Sequence, residues 1–163
     1  MARNDLEGTW ETACYQRAKT RLTYTNLKLT GVYTEYSDDA CTASRHISTW
    51  TGTATGGEEL ATGVHQLDLA YDTYRSKPLT TTEAGFVNQN AFCGFTDWAA
   101  NAEKDVLGRS CYGFAIPVGG SSLDIYQRNA NTLQFGKGSK IGTSLTASDR
   151  PTEIDPLRVF SRL

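Results

Sequence analysis

Leu6-Glu7-Gly8-Thr9-Trp10-Glu11-Thr12-Ala13-Cys14 is the stretch from which the rest of the chain is read. A glycine stands two positions ahead of a tryptophan, and the run continues as Thr-x-Thr-x-Cys, alternating and rich in strand-forming residues. Gly8 lets the backbone bend or be approached closely where a strand begins. Trp10 supplies a large apolar anchor for one closed end of a core.

Working outward, the same alternation recurs. Strands are predicted at Trp10 to Arg17, Thr20 to Thr25 and Leu27 to Ser37, with Thr25-Asn26 as a tight turn between the second and third. In the third, Lys28, Thr30, Val32, Thr34 and Tyr36 face one way, and Leu27, Leu29, Gly31, Tyr33 and Glu35 the other. Ser37-Asp38-Asp39-Ala40 reads as a turn. A fourth strand spans Ser44 to Thr55 and is broken by Gly56-Gly57. A fifth spans Leu60 to Arg75, with Leu67, Leu69 and Tyr71 as its apolar face and Pro78 as its close.

Thr80 to Cys93 departs from the pattern and reads as one or two capped helical turns or an irregular lid. Strands resume at Phe95 to Lys104, carrying Trp98, and at Ser110 to Val118, where Tyr112, Phe114 and Ile116 alternate. Ser122 to Gln127 and Thr132 to Phe135 form a hairpin, Gly136 to Asp149 a glycine- and serine-rich loop, and Leu157 to Leu163 a last strand. Sequential hairpins of this spacing predict an all-β fold: an antiparallel up-and-down barrel of eight to ten strands with at most one short helix. A sandwich is the alternative. Residues 1 to 163 form a single domain, since no linker and no repeat of 20–50 residues interrupts them.

A Gly-x-Trp opening the first strand of an all-β chain of this length resembles the lipocalin and fatty-acid-binding (calycin) families. The resemblance implies a barrel closed near Gly8 and Trp10, with a basic residue from the chain end lying over the tryptophan. Arg158 and Arg162 are the candidates, through a cation–π contact. The usual aspartate turn signature and a long C-terminal helix are both missing, which separates the chain from the true lipocalins while leaving the barrel shape.

Composition narrows the function. The chain has 163 residues, 39% of them hydrophobic, which suits strands with one wetted face. Sixteen basic and 18 acidic residues are spread without a basic block, so nucleic acid is not an expected partner. No apolar run reaches the roughly 18 residues of a membrane span. Four cysteines, Cys14, Cys41, Cys93 and Cys111, lack zinc or redox spacing and allow three pairings, or four buried thiols. Sequence neighbours and the up-down-up layout suggest Cys14–Cys41 and Cys93–Cys111. Disulfides would place the protein outside the cytoplasm, secreted or periplasmic, with Met1 standing ahead of a mature domain from which a signal peptide is absent.

The chemistry is sparse. No nucleophile elbow, phosphate loop or His-Glu-x-x-His is present, and Gly136-Lys137-Gly138-Ser139-Lys140 lacks phosphate-loop spacing. His46 and His65 sit on predicted strands and would meet only if those strands were neighbours in register. Asp68 and Asp72 are too far apart on one strand to share a proton. Glu35, Asp38 and Asp39 form no convincing calcium set. No cofactor and no metal are expected. Trp50, Tyr71, Trp98 and Phe114 are the candidate walls of a ligand cavity. The expected function is non-catalytic binding of a small hydrophobic or aromatic molecule inside the barrel. A surface adhesion or envelope-interaction module acting through its loops is the alternative, and a barrel isomerase or hydrolase using His46 or His65 a third.

Overall fold

The computed structural model describes residues 5–111, 114–115, 121–138 and 146–163, of which positions 114 and 121 are described in backbone alone. The chain is all-β: β1 (Gly8–Thr12), β2 (Ala18–Thr25), β3 (Lys28–Tyr36), β4 (Ser44–Ala61), β5 (Val64–Pro78), β6 (Lys104–Asp105), β7 (Ser110–Cys111), β8 (Phe114–Ala115), β9 (Ser121–Arg128), β10 (Thr132–Gly136) and β11 (Ile154–Arg162). One α-helix, α1 (Thr81–Gln89), follows β5, and short 3-10 turns lie at Phe92–Gly94 and Ala147–Asp149.

Eight of the strands close on themselves. The order β4-β3-β2-β1-β11-β10-β9-β5 is antiparallel throughout, and β4 pairs with β5 to seal the cylinder. The β4–β5 pairing joins the two ends of this order, which is how an antiparallel sheet of this size avoids presenting edges for aggregation. β6 adds two residues alongside the end of β5, and β7 pairs with β8.

One mouth of the barrel is plugged. Trp10 is fully buried, and its indole Nε1 donates to the Leu6 carbonyl at 2.8 Å. The guanidiniums of Arg162 and Arg128 lie 5.6 and 5.5 Å from the indole ring. Arg128 Nη1 also donates to the Asp5 carbonyl, and Tyr126 OH to Asp5 Oδ1 at 2.7 Å, so residues 5–7 are tied across this end. Gly8 has a φ of +127°, a region open to glycine, and the Arg162 side chain passes 3.4 Å from where a Cβ would sit. Arg158 does not reach Trp10. It stands over Phe160, 5.3 Å from that ring, and faces the interior.

Several elements differ from the sequence expectation. β1 ends at Thr12, and a tight Tyr15–Ala18 pairing turns the chain. Gly56 and Gly57 do not break β4, which continues to Ala61 through register shifts that absorb the irregularity. Phe95 to Glu103 is not a strand. Trp98 there is held by Asn88 of α1, whose amide both accepts from the Trp98 N–H (2.6 Å) and donates to its carbonyl (2.9 Å). Of the predicted strand Ser110 to Val118, β7 and β8 are seen, while Tyr112 and Ile116 lie outside the described residues. The same is true of 139–145 in the loop after β10.

Two disulfides are present, Cys14–Cys41 and Cys93–Cys111. The first ties the segment just after β1 to the turn after β3. The second fastens the Phe92–Gly94 turn to β7, anchoring the segment that follows α1. Among the described residues no helix is long and apolar enough to cross a membrane.

Candidate ligand-binding cavity

The barrel is hollow. A cavity of about 420 Å3 lies inside it, floored by the closed end and partly roofed by α1 and Phe92. Two features of the backbone shape this space.

The first is Gly31. It stands opposite Trp50 in the β3–β4 ladder, and the Trp50 indole lies flat over it, occupying the position a Cβ would need. Trp50 in turn stacks on Tyr74 of β5, with ring centroids 5.4 Å apart and planes 6° from parallel. The second is a bulge in β5. Thr73 pairs with Thr51 and Tyr71 with Gly52, leaving Asp72 as an extra residue. Inward-facing positions therefore change from Leu67, Leu69 and Tyr71 to Tyr74, Ser76 and Pro78.

The registers then build the wall in levels. Gly31, Trp50 and Tyr74 make an aromatic level; Tyr33, Ser48 and Ser76 a hydroxyl level; Glu35, His46 and Pro78 a level near the mouth. α1 contributes Glu83 to the last of these, with Phe86 at the opening. Thr80 caps the helix by accepting from the Glu83 N–H at 3.1 Å, which orients its first turn. Glu83, Ala84 and Val87 face inward.

Polar side chains here form one connected chain. Glu83 Oε1 lies 3.1 Å from His46 Nδ1, His46 Nε2 lies 2.6 Å from Ser76 Oγ, and Ser76 Oγ lies 3.1 Å from Ser48 Oγ. Ser76 is 1% exposed, His46 3%, Glu83 6% and Ser48 8%. Glu83–His46–Ser76 has the connectivity of an acid–base–nucleophile array. Its serine, however, does not line the cavity, and Ser48 stands at the wall beside it. The arrangement is a buried hydrogen-bond relay that meets the cavity at Glu83, His46 and Ser48, with the Ser48 hydroxyl as its inner end.

Charges near the mouth are partly compensated. Arg45 sits between two carboxylates, 3.9 Å from Glu35 Oε1 and 3.8 Å from Glu83 Oε2. Glu35, His46 and Glu83 place potential metal-ligating atoms within 4.8 Å of one another. Both ring nitrogens of His46 are nonetheless already engaged, and Arg45 already offsets part of the acidic charge. Deeper in, Asp124 Oδ1 accepts from the Gly136 and Ile125 N–H groups. Burial pushes the Tyr24, Tyr71 and Tyr74 hydroxyls well above the ordinary tyrosine range, and that of Tyr33 upward as well. They remain neutral hydroxyls in a low-dielectric wall.

Of the residues singled out from sequence, Trp50 and Tyr71 line the cavity, and Arg158 does so too. Trp98 is set behind the wall: its ring packs on Phe92 and Phe95 and edges onto His46 at 6.4 Å. The side chain of Phe114 lies outside the described residues. His46 and His65 do sit on neighbouring strands, but Pro78 stands opposite His46, thirteen positions beyond His65, so the rings do not meet. His65 packs on Tyr126 at the other end. Asp68 pairs with Arg150 at 2.8 Å, and Asp72 is exposed. Asp38 accepts from Thr42 and Ala43, and the Thr42 hydroxyl above all holds its carboxyl below the usual range; Asp39 pairs with Arg17. Ser48, Ser76 and Glu83 were not found by sequence reasoning.

The sequence matches no known protein family, and no curated protein matches it. Fold and site together define the class as a closed eight-stranded antiparallel barrel with a hollow, aromatic-walled interior and a helix at its mouth.

Proposed function

We propose that the protein binds a small, largely apolar ligand inside its barrel, without chemical turnover, in an oxidising compartment outside the cytoplasm. The observation that carries this reading is the cavity. At about 420 Å3 it falls in the range of small-molecule sites, and it is walled by Leu29, Trp50, Tyr71, Tyr74 and Phe135. Burying about 200 Å2 of apolar ligand surface there would contribute about 5 kcal/mol before the cost of association. Tyrosine hydroxyls and Ser48 supply the few polar contacts that fix orientation. A hollow of this size favours interior binding over a loop-borne adhesion function. The two disulfides support the compartment, since such bonds persist where thiols are not kept reduced.

Native mass spectrometry of protein purified from its own host, followed by delipidation and titration with apolar probes monitored by tryptophan fluorescence, tests this. A co-purified mass, or saturable uptake with a fluorescence change from Trp50, is expected. Absence of both would refute the reading.

A further inference from the structure

We propose that Ser48 is the specificity-determining contact of the cavity, and that it selects ligands whose polar end donates a hydrogen bond: an alcohol or an amine on an apolar body. The inference rests on the cavity-binding reading and adds the chemistry of the ligand's head.

The argument is one of proton direction. As a carboxylate, Glu83 can only accept, so the 3.1 Å bond to His46 carries the Nδ1 hydrogen. In the neutral imidazole that leaves Nε2 as an acceptor, and the 2.6 Å bond to Ser76 is then donated by the Ser76 hydroxyl. Having spent its one hydrogen, Ser76 can only accept from Ser48 across their 3.1 Å contact. Ser48 thereby spends its own. What it offers the cavity is an oxygen with lone pairs and no hydrogen.

An oxygen so fixed pairs with an O–H or N–H. A ketone, ether or carboxylate brings lone pairs against lone pairs and leaves a buried acceptor unpaired, the arrangement by which polar sites reject close isosteres. The charges facing the relay act in the same sense: Glu83 from α1 and Glu35 from β3 against Arg45 from β4. These disfavour an anionic head and tolerate a cationic one. The levels of the wall fit an amphipathic molecule lying lengthwise, its apolar body against Trp50 and Tyr74 and its head at Ser48, one register step toward the mouth. Arg158, which also lines the cavity, offers the competing anchor for a carboxylate.

Titration calorimetry with 2-decanol, 2-decanone and decanoate on the delipidated protein tests the inference. The alcohol should bind about tenfold tighter than the ketone and tighter than decanoate. Ser48→Ala should bring the alcohol-to-ketone ratio close to one. Ser76→Ala, at a residue that does not line the cavity, frees the Ser48 hydrogen to donate, and should shift the ratio toward the ketone by fivefold or more while both probes still bind. A structural role for Ser76 would weaken both probes alike and leave the ratio unmoved. The inference is overturned if wild-type protein binds the ketone as tightly as the alcohol, if decanoate binds tightest, or if neither substitution changes the ratio. Binding of none of the three probes would instead sink the cavity reading itself.

Discussion

Gly31→Ala adds one methyl group to the interior, and the structure says where it must go. That methyl would overlap the Cε2, Cζ2 and Nε1 atoms of Trp50, which is 5% exposed and stacked on Tyr74. The indole must withdraw by about 1.5 to 2 Å to restore ordinary carbon contact, and it has two directions available. One compresses the stack on Tyr74; the other projects the ring into the cavity. Either is overpacking, which costs about 1–3 kcal/mol. For a chain of this size that corresponds to a fall in Tm of about 2–12 °C. Retreat into the cavity also narrows the space left for a ligand, so probe uptake weakens. The decisive measurement is a double-mutant cycle of thermal melts. In a Trp50→Leu background, the flat ring is gone and Gly31→Ala loses most of its cost. An equal cost in both backgrounds, or a wild-type Tm in the single variant, would refute the packing of Trp50 on Gly31.

Three further outcomes follow from the same geometry. Tyr24, Tyr71 and Tyr74 hold their protons above the ordinary tyrosine value because they are buried. The unfolded chain releases those protons from about pH 10, so stability is intact below that pH and falls as pH rises beyond it. Tyrosinate absorbance should show the buried hydroxyls appearing together with unfolding, and reversible titration of all eight tyrosines near pH 10 in folded protein would contradict this. Glu83→Ala leaves the His46 Nδ1–H buried without an acceptor, at a cost of about 1–3 kcal/mol, and should speed hydrogen exchange of the α1 amides, whereas Glu83→Gln, which keeps an acceptor, should change it less. Trp98→Ala should destabilise by about 3–5 kcal/mol while leaving probe affinity of the folded fraction unchanged, because the ring packs behind the wall; a selective loss of affinity would place it in the site.

The barrel was legible because its evidence is local and repeated. Alternation in β3 reads correctly: Leu29, Tyr33 and Glu35 line the interior, and Val32 and Thr34 lie on the opposite face. The glycine ahead of Trp10 marks the closed end because its positive φ disfavours a side chain where the Arg162 side chain passes in contact. Arg162 was within reach from its position on the last strand. Arg128, the second guanidinium at the indole, was not, because nothing in a hairpin arginine announces a partner some 118 residues earlier. Phe95 to Glu103 misled for the opposite reason. Its aromatics imitate a strand, but they are gathered around Trp98 by Asn88, Phe92 and Lys104.

The relay was hidden by a single residue. If β5 kept the face defined by Leu67, Leu69 and Tyr71, its next inward positions would be Thr73, Arg75 and Lys77, and Ser76 would point to solvent. Two cations inside a closed barrel are far too costly to be left unpaired there. The chain must therefore change phase between Tyr71 and Tyr74, and the extra residue at Asp72 does so. The slip is visible in the sequence once it is looked for, as apolar or small Tyr74, Ser76 and Pro78 taking over the even positions while Arg75 and Lys77 hold the odd ones. His46 is conspicuous in the sequence as a histidine, but its partners lie 30 and 37 residues away on β5 and α1. Only the bulge brings the first of these to it, and only the capped turn of α1 brings the second. The polar character of the cavity therefore depends on the one place where β5 breaks its own alternation. A variant that removes Asp72 should disturb the Ser76–His46 contact before it disturbs the Trp10 end of the barrel.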